Sequence, residues 1–367
     1  MRTALPGVVS DATPDGWGRS LMQASLGRGL TEFDYLTLSD DRTRQGALRY
    51  LDENGEQMVS ADRPLSRRNI SLERLRSLAL TYDRDPVRAQ AEAAELTGAV
   101  GSLGGARPKA NVISDDGLYI AKFTSERDGR PIERVEVATL NLARDAGTHA
   151  SDAELMLGNS DHPVAMIRRF DRRADVRIPY MSIRTALDDA EAGTYDQIAE
   201  VIRRVSSDPR ADLDELFGRV AFTILVSNCD DHIKNHGFLY TGENRWVLSP
   251  AFDVNPQPER HRALETPISE LSGHEASIEA LIEAAPFFDM TEDEGLAVAD
   301  RVGTAIRENW RGRFEEQGVT GEALRIYQPA FENPEMTVLS NLSATKSVTV
   351  TSPFSDDEPD ETPDHET

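Results

Sequence analysis

Cysteine is almost missing from this chain of 367 residues, and so are long apolar runs. The single cysteine, Cys229, cannot form an intramolecular disulfide, which agrees with a reducing compartment. No run approaches the roughly eighteen apolar residues of a membrane helix, and the first residues lack the apolar segment of an export signal. We therefore expect a cytoplasmic protein that does not enter the membrane.

Positive charge is in deficit, because 40 lysine and arginine residues face 64 acidic residues and leave a net charge of −24. Binding of the DNA backbone needs clustered cations, so this balance argues against a non-specific DNA-binding protein. Residues 352–367 contain seven acidic residues and no lysine or arginine. Such a segment cannot bury enough apolar surface to offset its ordering entropy. We predict a disordered acidic tail over residues 346–367.

Lysine is rare as well, with only four residues among the 40 cations. Three of them, Lys109, Lys122 and Lys234, lie in the motifs described below. Since arginine serves elsewhere in this chain, these positions are candidates for a specific need for a compact ammonium group.

The coarse pattern changes near residue 190. Residues 1–60 mix turn-rich stretches, such as Asn54-Gly55, with short apolar runs, and residues 111–123 predict a β-hairpin around an Asp-Gly turn. Apolar residues at helical spacing predict a buried helix that ends before Asn228. This order predicts an α+β fold of two lobes with a cleft between them. The β-rich lobe covers residues 1–190 and the helical lobe covers residues 191–345.

The most informative segment is the polar run that follows this buried helix. Asp230 and Asn235 are five positions apart, and Asp253 comes eighteen residues after Asn235, across a predicted hairpin. A kinase needs a carboxylate that orients the acceptor hydroxyl and oxygen ligands that hold Mg²⁺ against the phosphates. In kinases, the base Asp and the metal-binding Asn are five positions apart on one loop, and a second metal-binding Asp follows a short hairpin. As a set, the three residues predict phosphoryl transfer from ATP.

Two other interpretations of this segment stay open. The polar loop could simply cap the helix and hold the hairpin, because Asp and Asn are common turn residues. Mixed carboxylate and histidine side chains could also ligate a transition metal, as in a phosphohydrolase. Its ligands would be Asp230, Asp231, His232, His236 and Asp253.

A glycine-rich stretch precedes the predicted hairpin. It contains Gly104 and Gly105 and ends at Lys109. Glycines let a backbone approach phosphates closely and present N–H groups to them. The stretch lacks Walker A spacing, and alone it could be a linker.

Lys122 lies within an apolar strand, where a lysine is costly unless it is paired. In a kinase its partners are the ATP phosphates and a glutamate from the next helix. That glutamate is Glu133 or Glu136, and we favour Glu136. Alternatively, Lys122 could face water at a sheet edge.

These segments resemble the HipA family of bacterial serine/threonine kinases, the toxin halves of toxin–antitoxin pairs. The resemblance implies a protein-kinase-like fold, ATP and Mg²⁺ as cofactors, an unidentified protein substrate and an antitoxin partner, with DNA reached only through the antitoxin. The matching stretches, in the family's order, are residues 14–19, 102–109, 120–123, 169–172, 230–236 and 249–253.

The resemblance also implies a role for each site residue. Asp230 would be the catalytic base, supported by His232, and Asn235 and Asp253 would ligate Mg²⁺. A hinge at residues 168–170 would hold adenine. The expected contacts to ATP are Gly104, Gly105, Lys109, Lys122, Arg168, Phe170, Lys234, Asn235 and Asp253.

Ser102 matches the serine that such kinases autophosphorylate. A dianionic group there would repel the ATP phosphates and switch off binding.

Three features depart from the family. Arg107 replaces a frequent glutamine, and Cys229 replaces a small hydroxyl residue before the catalytic Asp. The N-terminal β subdomain of longer members has no counterpart and could be a separate polypeptide. Two alternatives to a serine/threonine kinase remain: a catalytically silent, kinase-like binding protein of a toxin–antitoxin complex, and a small-molecule or lipid kinase.

Overall fold

The computed structural model describes residues 5–60, 71–100, 105–188, 190–259 and 262–350, with the side chains of residues 98–100 and 347–350 left aside. Ser102 and Gly104 therefore lie outside the described residues. So do residues 351–367 of the predicted acidic tail.

Three helices form between Gly7 and Leu38, where the sequence predicted only turns and short apolar runs, whereas residues 39–60 contain no helix and include the predicted turn at Asn54-Gly55. Asp15 caps the second helix by accepting a hydrogen bond from the N–H of Gly16 at 2.9 Å. Thr31 and Asp34 form a capping box at the start of the third. The helices before the main sheet are α1 (Gly7–Ser10), α2 (Gly16–Leu26), α3 (Glu32–Leu38), α4 (Leu72–Arg84) and α5 (Gln90–Val100).

A four-stranded antiparallel sheet in the order β1-β2-β4-β3 forms the first lobe. Helix α6 (Ile132–Asp145) follows β2 in the chain and packs beside β3 and β4. The alternating residues of β2 bury its apolar side chains against α2, α4 and α5. The strands are β1 (Lys109–Ser114), β2 (Gly117–Phe123), β3 (Ala153–Met156) and β4 (Val164–Arg168).

The turn of the first hairpin differs from the predicted Asp-Gly turn. Its two residues are Asp115 and Asp116, because Ser114 pairs with Gly117 across the ladder. Gly117 instead opens β2, where a Cβ would lie 3.3 Å from the guanidinium of Arg168. The glycine serves this close approach and not the turn.

The second lobe is mainly helical and carries a small sheet of order β7-β8-β9. The buried helix that the sequence predicts before Asn228 begins at Pro209, and the side chain of Asp208 caps it. The elements that follow β4 in the chain are β5 (Arg172–Arg173), β6 (Val176–Arg177), β7 (Tyr180–Ser182), α7 (Ile183–Ala186), α8 (Tyr195–Val205), α9 (Pro209–Leu225), β8 (Gly237–Gly242), β9 (Arg245–Leu248), α10 (Ile278–Glu283), α11 (Glu292–Glu316), α12 (Gly321–Phe331) and α13 (Pro334–Val350).

Two apolar cores hold these layers. The smaller one lies between the sheet and the N-terminal helices and includes Trp17, Leu78 and Phe123. The larger one joins α6 to α8, α9 and α11, so α6 links the lobes. An antiparallel sheet followed by a helical part confirms the predicted α+β class.

Two further findings concern the end of the chain and the membrane. Helix α13 continues through Val350, so it includes the first five residues of the predicted tail. In the part of the chain that the structure describes, no helix combines the length and apolarity needed to cross a bilayer.

Candidate active site

Lys122 on β2 lies at the centre of the site. Its ammonium donates hydrogen bonds to Glu136 Oε1 at 2.5 Å and to Asp253 Oδ1 at 2.6 Å. The lysine side chain is 11% exposed and that of Glu136 2%. A charge so sheltered from water needs partners of opposite sign. The preferred pairing of Lys122 with Glu136 is confirmed.

Glu133, the other candidate, has a different partner. Arg107 donates hydrogen bonds to Asp128 at 2.7 Å and to Glu133 at 3.0 Å. These bonds attach the end of the glycine-rich stretch to α6 and to the loop before it. The arginine that departs from the family therefore has a structural role.

The charges around Lys122 shift one another's protonation. Burial alone would raise the pKa of Asp253, but Lys122 and Lys109 outweigh it and hold the pKa well below its ordinary value. Burial would lower the pKa of Lys122, whereas Asp253 and Glu136 raise it. Asp253 is therefore an anion and Lys122 a cation at neutral pH.

Oxygen atoms suited to Mg²⁺ surround Asp253. Asp253 Oδ1 also accepts a hydrogen bond from Asn255 Nδ2 at 3.1 Å, and Asn255 Oδ1 is buried without a partner among the described residues. Asn235 uses its Nδ2 toward the main-chain oxygen of Asp230 at 3.5 Å, which leaves its Oδ1 available. Carboxylate and amide oxygens are the ligands that Mg²⁺ prefers, so these residues fit the ion.

The backbone of Asp253 is strained. Its φ of 58° lies in the left-handed region, which few residues other than glycine adopt. Strain of this kind clusters at functional sites, where the surrounding structure fixes it.

Asp230 lies in the loop after α9 and is exposed to solvent. Partial burial raises its pKa, and the carboxylates of Asp253 and Glu265 raise it further, while His232 opposes them. A raised pKa makes a carboxylate a better proton acceptor.

The next residue, Asp231, anchors this loop from below. It is buried, accepts a hydrogen bond from the hydroxyl of Tyr195 at 2.5 Å and lies 3.0 Å from His236 Nε2. Thr266 donates to its main-chain oxygen at 2.7 Å. Part of the polar run thus holds the loop, as the capping interpretation proposed.

The transition-metal interpretation is contradicted by this arrangement. Asp231 and His236 pair with each other beside Tyr195, whereas Asp253 binds Lys122. Across the described ranges, no three His, Cys, Asp or Glu side chains come together as metal ligands.

A buried ion pair fixes the predicted hinge. Arg169 donates to both carboxylate oxygens of Asp171, at 2.9 and 2.5 Å, and also to the main-chain oxygen of Thr43 at 2.6 Å. Phe170 lies between these two residues in the sequence, and the centroid of its ring is 5.5 Å from that of Phe252. The hinge thus offers an apolar surface beside a rigid backbone.

The start of α2 contacts both the glycine-rich stretch and the loop of Asp230. The N–H of Trp17 donates to the main-chain oxygen of Gly105 at 3.1 Å. Asp15 forms an ion pair with Lys234 at 3.0 Å. A Cβ at Gly16 would lie 3.1 Å from that same Gly105 oxygen, so the close approach requires glycine here.

Lys109 pairs with Lys122 across the β1–β2 ladder. A Cβ on Gly105 would lie 2.4 Å from the Nζ atom of Lys109, which is too close for two non-bonded atoms. The φ of Gly105 is 90°, which also favours glycine at this position. Burial lowers the pKa of Lys109 to about 8, and Lys122 adds to this effect. Two cations so close together create a strong attraction for anions.

One cavity of about 330 Å³ collects these groups. Its volume is at the lower end of small-molecule sites. The apolar part lies at the hinge, and the charged part lies between the sheet and the loop of Asp230. The predicted residues that line it are Gly105, Lys109, Lys122, Arg168, Phe170, His232, Lys234, Asn235 and Asp253.

One described residue of the predicted site does not line this cavity. Asp230 is adjacent to Asn235 and His232 but faces solvent and is outside the lining. Ser102 and Gly104 lie beyond the described residues, so their predicted roles stay predictions.

The sequence reasoning gave no role to several residues of the site. Asn255 follows Asp253 by two positions, and this Asp-Val-Asn spacing is the signal that could have indicated it. Asp15 was part of a matching stretch. Nothing in the sequence pattern pointed to the cavity residues Glu191 and Glu265.

A model of the family described as "HipA-like C-terminal domain" matches residues 101–310, more than half of the chain. The matched region contains the described site residues from Gly105 to Asp253.

Two curated relatives share part of the chain. A "Putative kinase" of Haemophilus influenzae is 27% identical over 188 residues, which cover 43% of this chain and 54% of the relative. A "Putative kinase" of Sinorhizobium fredii is 26% identical over 154 residues, which cover 38% of this chain and 37% of the relative. The chain thus spans about half or less of these relatives.

Two solved structures share the fold. HipA from a Shewanella oneidensis complex of HipA, HipB and operator DNA superposes with a TM-score of 0.68 and 15% identity, covering 95% of this chain and 87% of that one. The Helicobacter pylori proinflammatory kinase CtkA superposes with a TM-score of 0.52 and 12% identity, covering 68% and 95%. The predicted two-lobed, kinase-like fold is confirmed.

Proposed function

Because the chain belongs to the family of HipA-like C-terminal domains, we propose that it is an ATP- and Mg²⁺-dependent kinase that phosphorylates serine or threonine residues of a protein. The observation that carries the proposal is that Lys122 and Asp253 line one cavity and contact each other there, while the buried Glu136 holds the same ammonium from behind. A kinase requires a lysine for the phosphates, held by a glutamate, next to a metal-binding aspartate.

The proposed binding mode follows from the lining of the cavity. Lys122 and Lys109 hold the phosphates, with the backbone of Gly105 beside them. The adenine packs on Phe170 at the hinge, where the main chain of residues 168–170 is fixed by the Arg169–Asp171 pair. Asp253 and Asn235 hold Mg²⁺, and Asn255 is a further oxygen donor. When bound, the ion neutralises charge on the transferring phosphoryl group.

Asp230 accepts the proton of the acceptor hydroxyl. Its exposure suits this role, because a protein substrate must reach it from outside the cavity. Its raised pKa strengthens it as a base. Asp231, Tyr195 and His236 hold the loop so that Asp230 stays in place.

Further proposals rest on the resemblance and on the relatives. We propose autophosphorylation at Ser102 and a cytoplasmic location. The Shewanella oneidensis protein of similar fold occurs with HipB and operator DNA, so we also propose an antitoxin partner for this chain. The lobes over residues 1–190 and 191–345 would close on the nucleotide, with the acidic tail outside them.

Transfer of labelled phosphate tests the proposal. The purified protein is incubated with Mg²⁺, γ-labelled ATP and a bacterial extract. We expect labelling of the protein itself or of an extract protein, and a loss of at least about 100-fold for Asp230→Asn, since a general base contributes on this scale. Asp175→Asn, an exposed carboxylate on the β5–β6 turn, should match the wild type.

The outcome also separates the alternatives. A silent binding protein would bind ATP without any transfer. A small-molecule or lipid kinase would label metabolites or lipids and no protein. Equal labelling by the wild type and by Asp230→Asn contradicts the role of Asp230.

A further inference from the structure

A second, smaller cavity opens beside the candidate nucleotide cavity. It has a volume of about 140 Å³ and shares four lining residues with its neighbour: Asp15, Gln45, Tyr180 and Lys234. Whatever occupies it lies next to the loop that carries Asp230 and Asn235. The proposed nucleotide site does not account for this space.

The charged groups of the second cavity are satisfied to different degrees. Asp11 accepts hydrogen bonds from the N–H of Ser182 at 2.9 Å and from its hydroxyl at 2.7 Å. Arg19 donates to both oxygens of Glu32, at 2.6 and 2.7 Å. Lys234 pairs with Asp15 at 3.0 Å, with both side chains about half exposed. Arg184 also lines the cavity and is half-buried, yet no hydrogen bond or ion pair joins its guanidinium to any residue that the structure describes.

Arg184 is held close to the catalytic loop. It lies on α7, which packs against the short turn Ile233–Asn235, and the N–H of Ile183 donates to the main-chain oxygen of His236 at 2.9 Å. A half-buried guanidinium in a polar cavity has a planar array of donors that matches a carboxylate or a phosphate. The chain has a net charge of −24, so its overall field repels anions. We therefore expect Arg184 to act on an anion only by direct contact.

We propose that the second cavity is a substrate subsite that takes an anionic side chain next to the acceptor hydroxyl. Arg184 is the specificity-determining residue, and Lys234 is the second cation. The proposal rests on the proposed kinase function, whose substrate class it specifies: a protein segment with an acidic or phosphorylated residue close to the acceptor.

The spacing of the loop limits how far that residue is from the acceptor. Lys234 follows Asp230 by four positions, and an extended chain spans about 3.5 Å per residue. The Cα atoms of Asp230 and Lys234 are therefore on the order of 14 Å apart at most. An extended substrate would place the anionic residue within about four positions of the serine or threonine.

Peptide phosphorylation tests this subsite. Each peptide contains one acceptor serine. One of the four positions on either side of this serine is varied at a time and carries aspartate, phosphoserine, asparagine or lysine. We expect the wild type to prefer an anionic residue at one position by about tenfold in kcat/KM, the scale of one charge-assisted contact. Comparison of aspartate with phosphoserine shows which anion the subsite takes.

Variants assign the preference to Arg184. Arg184→Gln should abolish the preference and Arg184→Glu should turn it toward lysine, while both keep the wild-type rate on the asparagine peptides and the wild-type KM for ATP. Arg173→Glu makes the same change of charge at an exposed position outside both cavities and should keep the wild-type preference.

Three results would overturn the subsite. One is equal use of all flanking residues by the wild type. Another is an unchanged preference in Arg184→Glu. The third is a changed KM for ATP in that variant, which would assign the cavity to the nucleotide.

Binding separates failure of the subsite from failure of the kinase proposal. If the wild type phosphorylates no peptide, fluorescence anisotropy with a labelled aspartate peptide and a labelled asparagine peptide, with a non-hydrolysable ATP analogue present, still decides. The subsite requires tighter binding of the aspartate peptide by the wild type and no difference for Arg184→Glu. Equal binding by the wild type rejects the subsite whether or not the protein is a kinase.

Discussion

Lys122 keeps two carboxylates together in a largely buried site. Without its ammonium, the carboxylates of Glu136 and Asp253 would lose the cation that they share, and the neutralising charge nearby would have to come from Lys109. The same contacts would orient Lys122 toward bound phosphates. Stability and nucleotide binding are therefore linked at this residue.

Lys122→Met should lower both properties. We expect the free energy of unfolding to fall by about 3 kcal/mol, because removing one partner leaves buried charge uncompensated, and ATP binding to be lost. Urea denaturation and ATP titration measure the two effects. Lys346→Met removes an exposed ion pair with Asp293 and should change stability by less than about 1 kcal/mol. Equal effects of the two substitutions would refute the role of Lys122.

Lys109 should make ATP binding depend on pH. Its pKa of about 8 in the folded protein is below the ordinary value, so its ammonium is lost as the pH rises through about 8. ATP affinity should fall from there upward, by up to about tenfold per pH unit, since bound phosphates favour the charged form. ATP titrations between pH 6.5 and 9.5 measure it, and Lys109→Arg should remove the dependence.

The lowered pKa of Lys109 also makes stability depend on pH, but stability rises with pH over the range in which ATP affinity falls. Between about pH 8 and the ordinary lysine value, the unfolded chain binds a proton that the folded protein lacks. The contribution of Lys109 to stability is therefore lowest below about pH 8 and rises above it. Unfolding in urea at pH 7.5 and 9.5, for the wild type and Lys109→Arg, isolates this term. A wild-type stability that falls relative to Lys109→Arg over this range contradicts the shift.

At this scale the sequence predicted contacts better than orientations. It placed Glu136 beside Lys122 because a lysine on an apolar strand needs a partner. The motifs predicted that Asp230 faces one cavity together with Asp253 and Lys122, but Asp230 faces solvent outside the lining, because the orientation of a loop side chain depends on packing from distant segments. Asn255 was missed for a related reason, because an asparagine after a strand is most often a turn residue.

Helix α2 positions the glycine-rich stretch through main-chain contacts. The N–H of Trp17 bonds the oxygen of Gly105, and Gly16 allows the two backbones to approach. The adjacent pair of Asp15 and Lys234 attaches the same helix end to the catalytic loop. Movement of this helix end would therefore disturb both sides of the nucleotide cavity.

Gly16→Ala should weaken ATP binding while the protein stays folded. The added Cβ would lie 3.1 Å from the Gly105 oxygen and 3.2 Å from the Cα of Ala106, so the backbone of the stretch must be displaced by a few tenths of an ångström. We expect affinity to fall about tenfold, in line with a small displacement of a positioning group. Gly29→Ala, where a Cβ meets nothing within 4 Å, is the control. Unchanged affinity in Gly16→Ala would show that α2 does not position the stretch.

The elements of the sheet and of the buried helix could be predicted, but those of residues 1–60 could not. Their glycines and Pro14-Asp15 are typical of turns, and the sequence interpretation followed that pattern. The structure uses Asp15 as an N-cap instead, and the Thr31 capping box was a signal that went unused. Short helices give few turns over which apolar periodicity can be recognised.

At the scale of the whole molecule, α6 and α11 hold the sheet lobe against the helical lobe. Val135 of α6 and Trp310 of α11 belong to the same apolar core. The order of motifs along the chain predicted two lobes and a cleft. It could not predict this shared core or the second cavity, because both depend on contacts between residues far apart in sequence.

Ligand binding should therefore stabilise the molecule as a unit. With Mg²⁺ and ATP at about 100 times the dissociation constant, we expect the free energy of unfolding to rise by about 2.7 kcal/mol. Thermal unfolding measures the accompanying increase in Tm, and EDTA should remove most of it. Asp253→Asn should show little increase with Mg²⁺ present. An equal increase with and without Mg²⁺ contradicts the assignment of the metal site.

The most direct measurement is a crystal structure of the protein with Mg²⁺ and a non-hydrolysable ATP analogue. The account predicts phosphates against Lys109 and Lys122, the ion on Asn235 and Asp253, and the base beside Phe170. A nucleotide bound elsewhere on the molecule, or an ion that contacts neither Asn235 nor Asp253, would contradict it.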